Sequence, residues 1–250
     1  METETERPIR ALYIHIPFCH SICPFCAFAV HGYQPQLVEG YLAGLREELR
    51  HYLPWFTGQG VPVDSIYFGG GTPSTLRSEQ VAALLRHLRD HLPIADDAEV
   101  AFEVNPEDLT PDTLNGWLQA GVTRISLGLQ SLDAATLRSL GRNHSADQSA
   151  AAVALLQATP GLNYNLDLML GAPEVAAEHA EQDLERILAW RPPHLSLYGL
   201  DVEPGTPFGR SANVVEWAAT HRELLADSLL SLMERLRAVG YRHYEVSNLC

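Results

Sequence analysis

The chain is 250 residues long, enough to bury one sizeable core as a single α/β barrel or as two small domains. Its 17 Lys and Arg against 31 Asp and Glu leave a formal net charge of −14, so the surface as a whole repels nucleic acid and anionic lipid. The start Met1-Glu2-Thr3-Glu4-Thr5-Glu6-Arg7 is acidic and polar rather than basic then apolar, and no apolar run approaches ~20 residues; a cytoplasmic protein without a membrane-spanning segment is expected.

Short β-rich runs alternate with longer helical stretches. Leu12–Ile16 predicts the first strand, and it runs directly into a cysteine-rich loop. After Gln36, Val38, Leu42, Leu45, Leu49 and Tyr52 recur on one side of a predicted helix. Ser65–Phe68 predicts the next strand, followed by Gly69-Gly70-Gly71-Thr72-Pro73 and a helix over Gln80–Leu92. Further strands are predicted at Val100–Val104, Arg124–Leu129, Tyr164–Leu170 and Leu195–Leu200. A helix over Glu216–Val239 carries Leu225, Leu229, Leu232, Leu236 and Val239 at helical spacing and stops at Gly240. Tyr244–Val246 predicts a last strand. Strand then helix, repeated about six times, implies a parallel sheet with right-handed crossovers, and strands apolar on both faces imply a closed or partly closed (β/α) barrel. No linker divides the chain, so one domain over residues 1–250 is expected.

Three of the four cysteines fall in Pro17-Phe18-Cys19-His20-Ser21-Ile22-Cys23-Pro24-Phe25-Cys26, a Cys-x3-Cys-x2-Cys spacing too crowded to staple distant parts of a fold. The loop follows the end of a strand, the edge where α/β barrels carry their chemistry. Ordinary iron–sulfur clusters take four thiolates, so a loop offering three leaves one iron with an open position for a small chelating molecule. The alternative is zinc, with His20 or His15 completing the set, although structural zinc usually takes two separated ligand pairs. Cys250, at the end of the chain, is not expected to be a ligand.

The cysteine loop after Tyr13-Ile14-His15-Ile16-Pro17-Phe18 resembles that of radical S-adenosylmethionine (SAM) enzymes, and more narrowly that of the oxygen-independent coproporphyrinogen III oxidase-like family. The resemblance runs from about Leu12 to Asn248. It implies a partial (β/α)6 barrel of the TIM-like kind and a [4Fe-4S] cluster on Cys19, Cys23 and Cys26. It also implies that SAM chelates the open iron and is cleaved by an electron from the cluster. Gly-Gly-Gly-Thr-Pro resembles the segment that holds SAM's amino group, which assigns Gly70, Gly71 and Thr72 to the cofactor site. Glu103, Gln130, Arg142 and Asp167 match the family's SAM-contacting residues in order, and Tyr13 and Phe25 are assigned SAM contacts in the same way. A carboxylate within an apolar strand is costly to bury without a partner, which by itself marks Glu103 and Asp167 as candidates for ligand contact.

Two branches of the family carry different functions. Oxidases that resemble this chain have a further cysteine two positions after the third, where Phe28 stands here. That departure favours the haem-chaperone branch, which binds haem and hands it to an acceptor protein, over oxidative decarboxylation of a porphyrinogen. The branch's usual aspartate after the third cysteine is Ala27 here. Relatives also continue beyond the Tyr244-Glu245-Val246-Ser247-Asn248 motif into a C-terminal domain, so the chain is expected to be the core domain without it. Haem or a porphyrinogen, a haem-acceptor protein and an electron donor are the expected partners.

Overall fold

The computed structural model describes residues 8–56, 58–175 and 178–250; the acidic run 1–7 lies outside the described residues. Strand β1 (Ala11–Ile16) leads through two short strands, β2 (Phe18–Cys19) and β3 (His31–Gly32), to helix α1 (Pro35–Phe56). Then follow β4 (Val63–Gly70), α2 (Ser78–His91), β5 (Ile94–Val104), α3 (Pro111–Ala120) and β6 (Arg124–Gln130). Short helices α4 (Ala134–Ser139) and α5 (Ala146–Gln157) precede β7 (Asn163–Leu170), α6 (Glu178–Trp190) and β8 (His194–Gly199). Helices α7 (Pro207–Arg210) and α8 (Ala212–Ala238) and strand β9 (Asn248–Leu249) end the order.

Strands β1, β4, β5, β6, β7 and β8 pair in that order, all parallel, and β9 adds antiparallel to β8. Among the described residues β1 and β9 are the two sheet edges, so the six parallel strands form the partial (β/α)6 barrel that was expected. Local chemistry sets the helix ends. At α3, the Thr110 hydroxyl accepts from the Thr113 amide at 3.2 Å, Pro111 opens the first turn, and Gly121 closes the helix in the left-handed region at φ 108°.

Side chains alternate along each strand, and the two faces differ sharply. Ile66, Phe68, Val100, Phe102, Ile125, Leu127, Leu166, Leu168, Leu195 and Leu197 are buried on the outside, under helices that supply Leu84, Leu85, Leu88 and Trp117. The Phe102 ring lies 5.7 Å from Phe68 and 5.2 Å from Trp117. Each such side chain contributes roughly 1.5–3 kcal/mol by leaving water. The lumen corrects the expectation of strands apolar on both faces. Pairing aligns Glu103 with Ser126, Asn165 and His194 in one row, and Gly128 with Asp167 and Ser196 in the next.

A second correction concerns the last strand. Tyr244–Val246 is a bend, because the Glu245 carboxylate accepts from the Ser247 amide at 3.0 Å and from Asn248 Nδ2 at 2.6 Å and turns the chain. The strand forms two residues later, where Leu249 is fully buried against β8. In α8, Leu232 and Leu236 of the expected apolar stripe are buried while Val239 is exposed, so only part of the stripe packs.

Candidate functional site

The cysteine loop leaves and rejoins the barrel through one neck. Strands β2 and β3 pair there, the His31 amide donates to the Pro17 carbonyl at 2.6 Å, and the Tyr33 amide donates to the Cys19 carbonyl at 2.9 Å. Between these ties the Cys26 amide turns back onto the Cys23 carbonyl at 3.1 Å. The result brings Cys19, Cys23 and Cys26, all free thiols, to a cavity of about 180 Å³ at the barrel mouth. Phe25, Gly70, Gly71, Thr72, Glu103, Gln130, Arg142 and Asp167 line the same cavity. Tyr13 does not: it is 60% exposed on edge strand β1 and stacks on Tyr67 at 6.1 Å.

The thiols sit among groups suited to thiolates. The Thr72 hydroxyl donates to Cys19 Sγ at 3.4 Å, and Arg142 Nη1 donates to Cys23 Sγ at 3.5 Å. Burial nevertheless pushes the Cys19 and Cys26 thiols above their ordinary pKa, so a bound metal must displace their protons. Among the described residues no three His, Cys, Asp or Glu converge to hold a single ion. A multi-iron cluster does not require that, since each thiolate takes a different iron. Of the two candidate histidines, His15 has both ring nitrogens engaged within the protein. His15 Nε2 meets the Ala29 carbonyl at 2.8 Å and its Nδ1 meets Tyr13 Oη at 3.1 Å, while the His20 ring packs on Tyr33 at 4.6 Å.

The glycine segment serves close approach within the protein as well as the cavity. A Cβ on Gly70, which sits at φ 112°, would lie 2.4 Å from the His15 ring, and one on Gly71 would lie 2.7 Å from the Pro17 backbone. The Gly70 amide donates to Glu103 Oε2 at 3.2 Å, and Tyr67 Oη donates to Oε1 at 2.7 Å. Burial raises the Glu103 pKa to about 7, against the lowering effect of those donors. Asp167, deeper in the lumen, is also raised by burial.

Gln130 reaches the cavity by an unusual backbone. It adopts φ 63°, at a register shift between β6 and β7. Three contacts hold it there: Tyr198 Oη donates to Gln130 Oε1 at 2.7 Å, His144 Nε2 meets the preceding Leu129 carbonyl at 3.0 Å, and Asp183 accepts from the Leu132 amide at 3.0 Å. Arg142 is anchored by Nη2 to Asn105 Oδ1 at 2.6 Å and to the Gly128 carbonyl at 3.2 Å. Its Nε is buried without a partner. Tyr198, Asn105 and Ser126 also line the cavity and were not singled out from sequence, although the alternation His194-x-Ser196-x-Tyr198 carried the signal for a polar lumen face.

The model for the radical SAM superfamily matches residues 13–187. The chain belongs to the radical SAM superfamily. As a radical SAM protein it is similar to the heme chaperone HemW of Escherichia coli, 37% identical over 241 residues that cover 96% of this chain and 62% of that protein. The heme chaperone HemW of Haemophilus influenzae is 35% identical over 248 residues, with 96% and 62% coverage. The resemblance to the haem-chaperone branch is therefore borne out. Among solved structures, the coproporphyrinogen III oxidase HemN of Escherichia coli superposes with a TM-score of 0.82 at 27% identity, covering 98% of this chain and 56% of that one. The chain thus spans about three fifths of the chaperones it matches, 62% in both cases.

Radical SAM membership brings a [4Fe-4S] cluster and SAM as cofactors. The site fits them: three thiols share one loop, and a buried arginine donor without a partner faces no protein acceptor, as an anionic ligand requires. No helix among the described residues is long and apolar enough to cross a membrane.

Proposed function

We propose that residues 1–250 form one radical SAM core domain that works in a cytoplasmic haem chaperone, binding a [4Fe-4S] cluster, SAM and haem and passing haem to an acceptor protein. Cys19, Cys23 and Cys26 hold the cluster. Arg142 offers SAM's carboxylate its Nε, the guanidinium nitrogen without a protein partner, as a charge-assisted donor. Glu103 and the Gly70–Thr72 segment receive SAM's amino group, Glu103 accepting from it when ionised. Gln130 and Asp167 hold hydrogen-bonding groups of the nucleoside half, Phe25 covers it, and Tyr13 stacks behind Tyr67 at the open edge. When bound, the cluster and SAM supply one-electron chemistry, and an electron donor keeps the cluster reduced.

The observation that carries the chaperone reading over the oxidase is Phe28, 72% exposed on the cavity rim where the oxidases carry a further cysteine. Coproporphyrinogen oxidation is the second reading, favoured by the close superposition on HemN. Reconstituting the cluster anaerobically and supplying SAM, a low-potential reductant and coproporphyrinogen III separates them. The chaperone reading expects a haem absorbance spectrum and haem transfer to an apo-acceptor, with no protoporphyrinogen by mass. Protoporphyrinogen forming in step with 5'-deoxyadenosine would overturn it.

A further inference from the structure

The Tyr244-Glu245-Val246-Ser247-Asn248 motif lies away from the cysteine loop, yet it is wired into the lumen. Leu249 is fully buried, Asn248 pairs with Ser196, and the Leu197 amide donates to the Ser247 carbonyl at 2.7 Å, which ties the segment along β8. Tyr244 Oη lies 2.6 Å from His194 Nε2, and His194 Nδ1 lies 2.6 Å from Asn165 Oδ1. Asn165 Nδ2, with two protons to give, then lies 2.6 Å from Asp167 Oδ1, 2.8 Å from Ser126 Oγ and 2.9 Å from Ser196 Oγ.

Proton counting gives this chain of contacts a direction. Asn165 must turn its NH2 toward the Asp167 carboxylate, since its carbonyl there would face another acceptor. The carbonyl therefore faces His194 and takes the proton of Nδ1. A neutral imidazole has one N–H, so Nε2 is bare and accepts the Tyr244 hydroxyl proton. Burial lowers the His194 pKa to about 4, which keeps the ring neutral. A second branch runs through Ser196, whose single proton goes to Asn248 Oδ1 at 2.9 Å; Asn248 Nδ2 in turn donates to Glu245 Oε2 at 2.6 Å. Asp167 Oδ2 has a longer contact to Ser126 Oγ at 3.3 Å, and Ser196 also lies within reach of the Asp167 carboxyl.

We infer that the 244–248 segment is a positioning strap for Asp167: the Tyr244 hydroxyl satisfies the bare His194 Nε2 and so stabilises the tautomer and Asn165 orientation that Asp167 requires, and Asn248 accepts the Ser196 proton, so the row that orients Asp167 is held from its far end. Tyr244 and Asn248 touch no ligand and act only through these intermediaries. The inference rests on Asp167 holding SAM as proposed above.

Tyr244→Phe tests it with little risk to folding, because the ring is 54% exposed and only an oxygen is lost. In the chain without cofactors, 15N shifts of His194 should show Nδ1 protonated and Nε2 bare, and Tyr244→Phe should shift the population toward the other tautomer. With the cluster reconstituted, SAM dissociation constants come from the SAM-dependent change in the reduced cluster's EPR signal. Tyr244→Phe and Asn248→Ala should each weaken SAM binding roughly 3- to 10-fold at unchanged iron content, the size of one mispositioned hydrogen bond. Asp167→Asn should weaken it by about tenfold or more, and neither strap substitution should add to that loss in the double variants. SAM binding unaffected by Asp167→Asn would overturn the assigned role of Asp167 and the inference with it. A weakened Asp167→Asn beside a Tyr244→Phe that leaves the tautomer or the affinity unchanged, or full additivity, would overturn the strap alone.

Discussion

The outer and inner faces of the same six strands obey different rules. Outside, Phe68, Phe102 and Trp117 interlock without a polar atom that needs a named partner except the Trp117 indole, so volume decides what is tolerated. Inside, Ser126, Asn165, Asp167, His194 and Ser196 hydrogen-bond to one another across rows that also hold Glu103, which is tied instead to Tyr67 and the Gly70 amide. The outer face should therefore govern global stability and the inner face ligand affinity. Trp117→Ala is the strongest way to break that division. Losing a fully buried indole should cost about 3–5 kcal/mol in chemical denaturation, while the folded fraction keeps its SAM affinity. A folded Trp117→Ala protein that binds SAM tenfold more weakly would show that the two faces are not separable.

Glu103 sharpens the same comparison from within. Its pKa rises from 4.5 to about 7 on folding, so the folded chain holds the proton more tightly than the unfolded one. The stability this gives is complete below about pH 4.5, falls as pH rises toward about 7, and is gone above that. Glu103→Gln cannot ionise, so from pH 4.5 to 8 its stability relative to the native chain should improve by up to about 3 kcal/mol, in denaturant titrations without cofactors. The same substitution should weaken SAM binding at pH 8. A stability difference that does not change with pH would mean that the lumen solvates this carboxylate as water does.

The strands and the cysteine loop were legible in the sequence for opposite reasons. The loop's chemistry lies in spacing along the chain, which needs no fold to be seen. The strands announce themselves as short runs rich in Ile, Leu, Val and Phe between helical stretches, and the parallel sheet follows from that repetition of strand and helix. The polar rows were not legible, because Ser126, Asn165 and Ser196 stand on three different strands and only tertiary register sets them side by side. Tyr198 was missed for the same reason, since its partner Gln130 lies 68 positions away. Tyr244–Val246 has the composition of a strand, but the carboxylate between its two apolar ends bends it. Tyr13 carried a SAM contact only through the resemblance, and its place at an open edge outside the cavity depends on where the sheet stops pairing.

Nothing in Gly-Leu-Gln-Ser marks Gln130 as a left-handed residue, and its backbone allows the smallest but cleanest test. At an ordinary strand position, Gly is less stable than Ala because the unfolded chain gains freedom. At φ 63° the order should reverse, since Ala keeps the strain that Gly relieves. Both substitutions lose the Tyr198 hydrogen bond and leave its hydroxyl unpaired, so both should be less stable than the native chain, and that shared loss cancels between them. Gln130→Gly should then be more stable than Gln130→Ala by about 1 kcal/mol, measured by denaturant midpoints at equal slope. Their SAM affinities should fall together, because the missing amide and not the backbone makes the contact. An Ala variant as stable as the Gly variant would mean that the clamps from Tyr198, His144 and Asp183 are a consequence of the local path and not what holds a strained residue in place.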